Sequence, residues 1–143
     1  MKKKLIALCC IAAALLLLIC LVAQPAERRV TRYFEAHRAE FAADAEGLME
    51  GDDAGKLTQK FKAELYHGED MVVEYHFASL AVAPSGSYRG IFRSENDVPF
   101  IFTGGKAQLE QISADEWRWQ AEGDDHGYIR RIEPHWFYYE AAF

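Results

Sequence analysis

MVVEYHFASLAV, residues 71–82, is the longest strand-like run in the chain. Met71, Val73, Tyr75 and Phe77 fall on one face of an extended backbone, the two-residue alternation that a half-buried strand requires. Working upstream, the same period holds from Lys56, where Phe61, Ala63 and Leu65 alternate with Lys60, Lys62 and Glu64. Gly68, Glu69 and Asp70 then supply a turn into the long strand. Downstream, Pro84 to Ser87 turn the chain into Tyr88–Arg93, and Ser94–Pro99 read as a polar loop. Phe100–Thr103, the Gly104–Gly105 pair and Lys106–Ile112 together read as a hairpin, because adjacent glycines adopt positive φ without strain. Ser113–Asp115 form the next turn. Glu116–Glu122, Tyr128–Ile132 and His135–Tyr139 complete six or seven short strands, with a loop at Gly123–Gly127. Short turns between consecutive strands predict an antiparallel meander.

The cover for that sheet comes from the preceding residues. Val30, Tyr33, Phe34, His37, Phe41, Ala45, Leu48 and Met49 recur at three- and four-residue steps, and Glu35, Arg38, Glu40, Asp44 and Glu46 oppose them. Pro25 suits the first turn and Gly51-Asp52-Asp53 the end. The spacing predicts one amphipathic helix within residues 25–55, packed on the sheet of residues 56–143 as a single domain. A dimerisation or partner helix is the alternative reading.

Before the helix lies an uncharged stretch, Leu5–Ala23, behind Lys2, Lys3 and Lys4. As a helix it would span roughly 28 Å, close to a bilayer's hydrocarbon core. Residues 1–24 therefore read as a membrane anchor with a cytoplasmic N-terminus, the domain lying outside. A cleaved signal peptide followed by secretion is the alternative, although Leu21 occupies a position where a cut after Ala23 wants a small residue. Arg28, Arg29, Arg32 and Arg38 nearly balance the lysines, so a cytoplasmic domain also fits the flanking charge. The expected fold class is thus α+β: an N-terminal transmembrane helix, then an amphipathic helix packed on an antiparallel meander.

Composition narrows the function. Every aromatic residue lies at or beyond Tyr33, and the formal net charge of −6 repels nucleic acid. Cys9, Cys10 and Cys20 all fall in the apolar stretch, so the domain has neither a disulfide nor a thiolate zinc site, and its stability must come from packing. The acidic loops at Asp52-Asp53, Glu69-Asp70, Glu95-Asn96-Asp97 and Asp124-Asp125 lack the EF-hand pattern. His37, His67, His76, His126 and His135 form no i, i+4 pair with an intervening Glu. No metal or cofactor is expected. Asp124, Asp125, His126 and Glu133 with Ser85 or Ser87 would supply an acid, base and nucleophile, yet neither serine sits in a nucleophile-elbow motif.

The aromatic pattern gives the candidate site. Trp117 and Trp119 share a face; Trp136 and Tyr138 share another, opposite Phe137 and Tyr139. With the helix on one side, Phe137, Tyr139, Trp117 and Trp119 are the candidate binding residues, an aromatic platform for a glycan or a partner's apolar surface. The opposing reading is that a twisted sheet wraps these rings into its own core.

Pro84-Ser85-Gly86-Ser87-Tyr88-Arg89-Gly90-Ile91-Phe92, Glu95-Asn96-Asp97-Val98-Pro99 and Ile132-Glu133-Pro134-His135-Trp136-Phe137-Tyr138-Tyr139-Glu140 resemble small bacterial envelope proteins with a single N-terminal membrane segment. The resemblance implies location rather than chemistry. In element order the chain also resembles type IV pilin-like subunits, but it lacks their Gly-Phe cleavage site and early glutamate. The expected function is a membrane-tethered extracytoplasmic binding module. Its expected partners are the membrane, through residues 5–23, and a protein or glycan of the envelope. A small envelope hydrolase and a cytoplasmic-facing inhibitor or immunity-like protein are the alternatives.

Overall fold

Seven antiparallel strands form one sheet in the computed structural model, which describes residues 25–53, 55–82, 85–102, 107–121 and 123–143. The strands are β1 (Glu64–His67), β2 (Met71–Val82), β3 (Ser85–Ser94), β4 (Gln108–Ser113), β5 (Glu116–Gln120), β6 (His126–Glu133) and β7 (Trp136–Ala142). Their spatial order is β1-β2-β3-β7-β6-β5-β4. The expected single meander is therefore corrected to two, β1–β3 and β4–β7, joined where β3 pairs with β7 from Ser87↔Ala142 to Arg93↔Trp136. That join explains why the last strand is aromatic on both faces. β7 is an interior strand with a packed layer on each side.

The expected single amphipathic helix is two helices, α1 (Ala26–Ala36) and α2 (Arg38–Glu50), broken at His37. The His37 N–H donates to both Tyr33 and Phe34 carbonyls, and its ring stacks on Tyr33 at 4.3 Å. The break lays α1 against β7, where Phe34 meets Trp136 at 4.8 Å, and α2 against β2, where Phe41 meets Tyr75 at 5.0 Å. Gly51, at φ 88°, ends α2 in the left-handed conformation that favours glycine.

The strand expected from Lys56 is also corrected. Residues Lys56–Phe61 form a short helix, α3, because Leu57, Thr58 and Phe61 are the buried side chains, a helical rather than a two-residue spacing. Only from Glu64 does the chain extend. Of the strand expected at Phe100–Thr103, the described residues Phe100, Ile101 and Phe102 are not extended into a strand and pack instead on the sheet face away from the helices; Thr103 lies outside the described residues. Gly104 and Gly105 lie outside the described residues.

So does the stretch 5–23. The transmembrane helix expected there forms no part of the described fold, and among the described residues no helix is long and apolar enough to cross a membrane. The fold class is corrected to an α+β domain of three helices and a seven-stranded sheet.

Two aromatic layers hold it together. Between helices and sheet lie Val30, Phe34, Phe41, Ala45, Leu57, Phe61, Val73, Tyr75, Ile91, Trp136 and Tyr138. On the other face lie Val72, Phe92, Trp117, Trp119, Ile129, Phe137, Tyr139 and Ala141, partly covered by Phe100–Phe102 and Phe143. Burying a large aromatic side chain stabilises a fold by about 1.5–3 kcal/mol, so two such layers replace the disulfides that the domain lacks.

Candidate functional site

The helices cover only one end of their sheet face. At the other end the register builds an uninterrupted row across five strands: Arg89 on β3, Glu140 on β7, Tyr128 on β6, Arg118 on β5 and Glu110 on β4, each directly opposite the next. A second row, two residues along, runs Ser87, Ala142, His126, Gln120 and Gln108. Together they floor an open groove of about 1160 Å³. At 4.7–4.9 Å between strands, each row is roughly 19 Å long.

The groove's side chains are planar hydrogen-bonding groups of both signs. The guanidinium groups of Arg89 and Arg118 make no hydrogen bond or ion pair among the described residues. Glu140 accepts from the Tyr138 hydroxyl, and Tyr128 donates to Glu116 at 3.0 Å. Burial, assisted by the Glu116 carboxylate, pushes the Tyr128 hydroxyl up to about 12, so it remains a neutral phenol at physiological pH.

A second constellation occupies the opposite face. Glu64 on β1 stands directly across from Glu74 on β2, and His76 follows Glu74 by two residues on the same side. Tyr66 places its hydroxyl 2.8 Å from both carboxylates, and Tyr139 hydrogen-bonds Glu74 while lying 3.0 Å from His76 Nδ1. Tyr66, Glu74, His76, Tyr88, Phe102, Tyr139, Ala141 and Phe143 line a cavity of about 200 Å³. A β-bulge between His76 and Ala78 lets Phe77 join the helix-side core without turning His76 away from this cavity.

The hydrogens of this cluster can be counted. Tyr66 has one to offer two carboxylates, Tyr139 has one toward Glu74, and His76 Nδ1–H has one toward Tyr139. Four contacts thus draw on three hydrogens. The Glu74 carboxyl is held above its ordinary value: burial is the main cause, and the Tyr139 and Tyr66 hydroxyls and His76 only partly offset it.

The four candidate binding aromatics lie together in the packed layer on the sheet face away from the helices. Phe137 is 0%, Tyr139 2%, Trp119 5% and Trp117 8% exposed. Phe137 stacks on Phe92 at 4.9 Å, and Arg131 lies over the rings of Phe137 and Trp117. Tyr139 alone of the four contributes to the small cavity, and Trp119 to the rim of the groove.

The residues considered for hydrolysis do not gather. His126 Nδ1 contacts the Asp124 carbonyl at 2.6 Å, and Glu133 pairs with Arg38 at 2.7 Å. Ser87 and His126 both pair with Ala142, so β7 separates them. Ser94, fully buried, donates to Asp70 at 2.6 Å, but His135 faces its carbonyl and not its hydroxyl, which makes a loop lock instead of a triad. Sequence reasoning passed over Glu64, Glu74 and the groove rows. The available signal for the first was an acid inside a strand of otherwise apolar residues. The rows required the register.

No family model, curated protein or solved structure matches this chain.

Proposed function

We propose that this protein is an extracytoplasmic binding module whose ligand surface is the polar groove on the uncovered end of the helix-side sheet face. The apolar stretch 5–23 would tether it to the membrane or direct its export. The observation that carries the reading is the Arg89–Glu140–Tyr128–Arg118–Glu110 row, in which two guanidinium groups make no hydrogen bond or ion pair among the described residues. Planar Arg, Glu, Gln and His side chains match the paired hydroxyls of sugars, Tyr128 offers a ring at the middle of the row, and Arg89 and Arg118 complement carboxylates. A carboxylate-bearing glycan strand lying across the strands is the ligand class this floor suits.

The test is cosedimentation of the full chain with purified bacterial cell-wall glycan. Binding should occur and should fall at least tenfold in Arg89→Ala/Arg118→Ala, whose melting should match the parent. Absence of binding, or equal binding by the double variant, would overturn the reading. A compartment-sensitive reporter fused after Phe143 tests the location separately: signal from outside the cytoplasm supports this proposal, and signal from inside supports the inhibitor alternative.

A further inference from the structure

We propose that Glu64, Glu74 and His76 form a binding site for a divalent metal ion of the zinc class. The proposal rests on the face opposite the groove and is independent of the glycan reading.

Three features of the geometry carry it. The first is the ligand set. One oxygen of Glu64, one oxygen of Glu74 and one ring nitrogen of His76 lie within 4.8 Å of one another, held by two adjacent strands in fixed register. Tetrahedral zinc with bonds of about 2.0–2.1 Å sets its ligand atoms roughly 3.3 Å apart. His76 Nε2 and Glu74 Oε1 already stand at 3.4 Å.

The second feature is the outer support. Metal-binding histidines generally direct the ring nitrogen that does not bind the metal at a hydrogen-bonding partner, which fixes the tautomer and the ring plane. Here His76 Nδ1 faces the Tyr139 hydroxyl at 3.0 Å, leaving Nε2 toward Glu74. The two carboxylates are themselves oriented by Tyr66, and Glu74 also by Tyr139. Tyr139 can lie where it does because Gly90, its cross-strand partner, has no side chain.

The third feature is space. Glu74 and His76 line the cavity of about 200 Å³, room for a water or a small anion as fourth ligand. An imidazole with two carboxylates suits zinc or a neighbouring transition ion. Calcium would need six to eight oxygens, and the set offers an imidazole in place of several of them.

The experiment titrates the full chain with Zn²⁺ against a chromophoric chelator, in a background with Cys9, Cys10 and Cys20 changed to Ser so that no thiolate competes. One ion should bind per chain, with a change in the near-ultraviolet signal of the tyrosines that touch the ligands. His76→Ala and Glu74→Gln should each weaken binding at least a hundredfold, and Tyr139→Phe about ten- to a hundredfold. Glu74→Gln is the decisive variant, since its amide oxygen accepts from Tyr139 and its amide N–H donates to Tyr66, preserving the metal-free fold. His67→Ala and His126→Ala should bind as the background does, and excess Ca²⁺ should not compete. No binding by the background chain, or unchanged binding in His76→Ala and Glu74→Gln, would overturn the site.

Discussion

Tyr139 lies against Gly90, its partner across the β3–β7 ladder, and its hydroxyl bonds to the buried carboxyl of Glu74 on the next strand. A Cβ at position 90 would stand 2.9 Å from the tyrosine ring and 2.1 Å from the Tyr75 carbonyl oxygen. Neither the backbone nor the interior ring can yield without disturbing its layer. Gly90→Ala should therefore lower stability by about 2–3 kcal/mol in urea unfolding. A variant that unfolds with the parent would mean that Tyr139 does not occupy this place.

Trp119 and Gly127 repeat the arrangement on β5 and β6, where a Cβ on the glycine would stand 2.2 Å from the indole nitrogen. Gly127→Ala should expel the indole from the sheet face and shift its fluorescence to the red, with the domain remaining folded because Trp119 is near the sheet edge. An unchanged emission spectrum would contradict the packing.

Glu74 makes stability depend on pH in a defined direction. Its folded-state value lies above the ordinary 4.5, so the folded state holds the proton more tightly than the unfolded chain does. Stability is fully present below the unfolded value and declines as pH rises through the folded one. In chelator-treated protein, Glu74→Gln should be more stable than the parent at neutral pH, and the advantage should vanish below about pH 4. A difference independent of pH would show that the Glu74 proton is not linked to folding.

Trp136 and Phe137 point to opposite faces of β7 and are both in core layers. Truncating either to alanine should cost about 3–5 kcal/mol, measured by chemical unfolding. The expectation from alternation alone, that one face of this strand is a platform and only the other a core, predicts a large loss for Trp136→Ala and a small one for Phe137→Ala.

Alternation made most of the strands legible, because Val73, Tyr75 and Phe77 or Trp117 and Trp119 carry a two-residue period that survives any tertiary context. It also misled at Phe61, where a helical turn built on Leu57 and Phe61 supplies the same apolar residues. Strand order was not readable, since the β3–β7 pairing joins segments far apart in the chain and leaves no local mark. That missing pairing is why the aromatics of β7 and β5 read as a platform: nothing in the sequence says that Phe92, Phe100 and Phe102 come to rest beside them. The Glu64–Glu74–His76 cluster and the groove rows depend on the same register, so neither could be assembled before the strands were placed.

The polar rows across β3, β7, β6, β5 and β4 are the proposed ligand surface. Backbone amide shifts of the isotope-labelled chain, followed during titration with a soluble carboxylate-bearing cell-wall glycan fragment, locate the surface that is used. Shifts should concentrate at Arg89, Glu140, Tyr128, Arg118 and their row neighbours His126 and Gln120, with α1–α3 unaffected. Shifts confined to the helices, or none at saturating glycan, would contradict it.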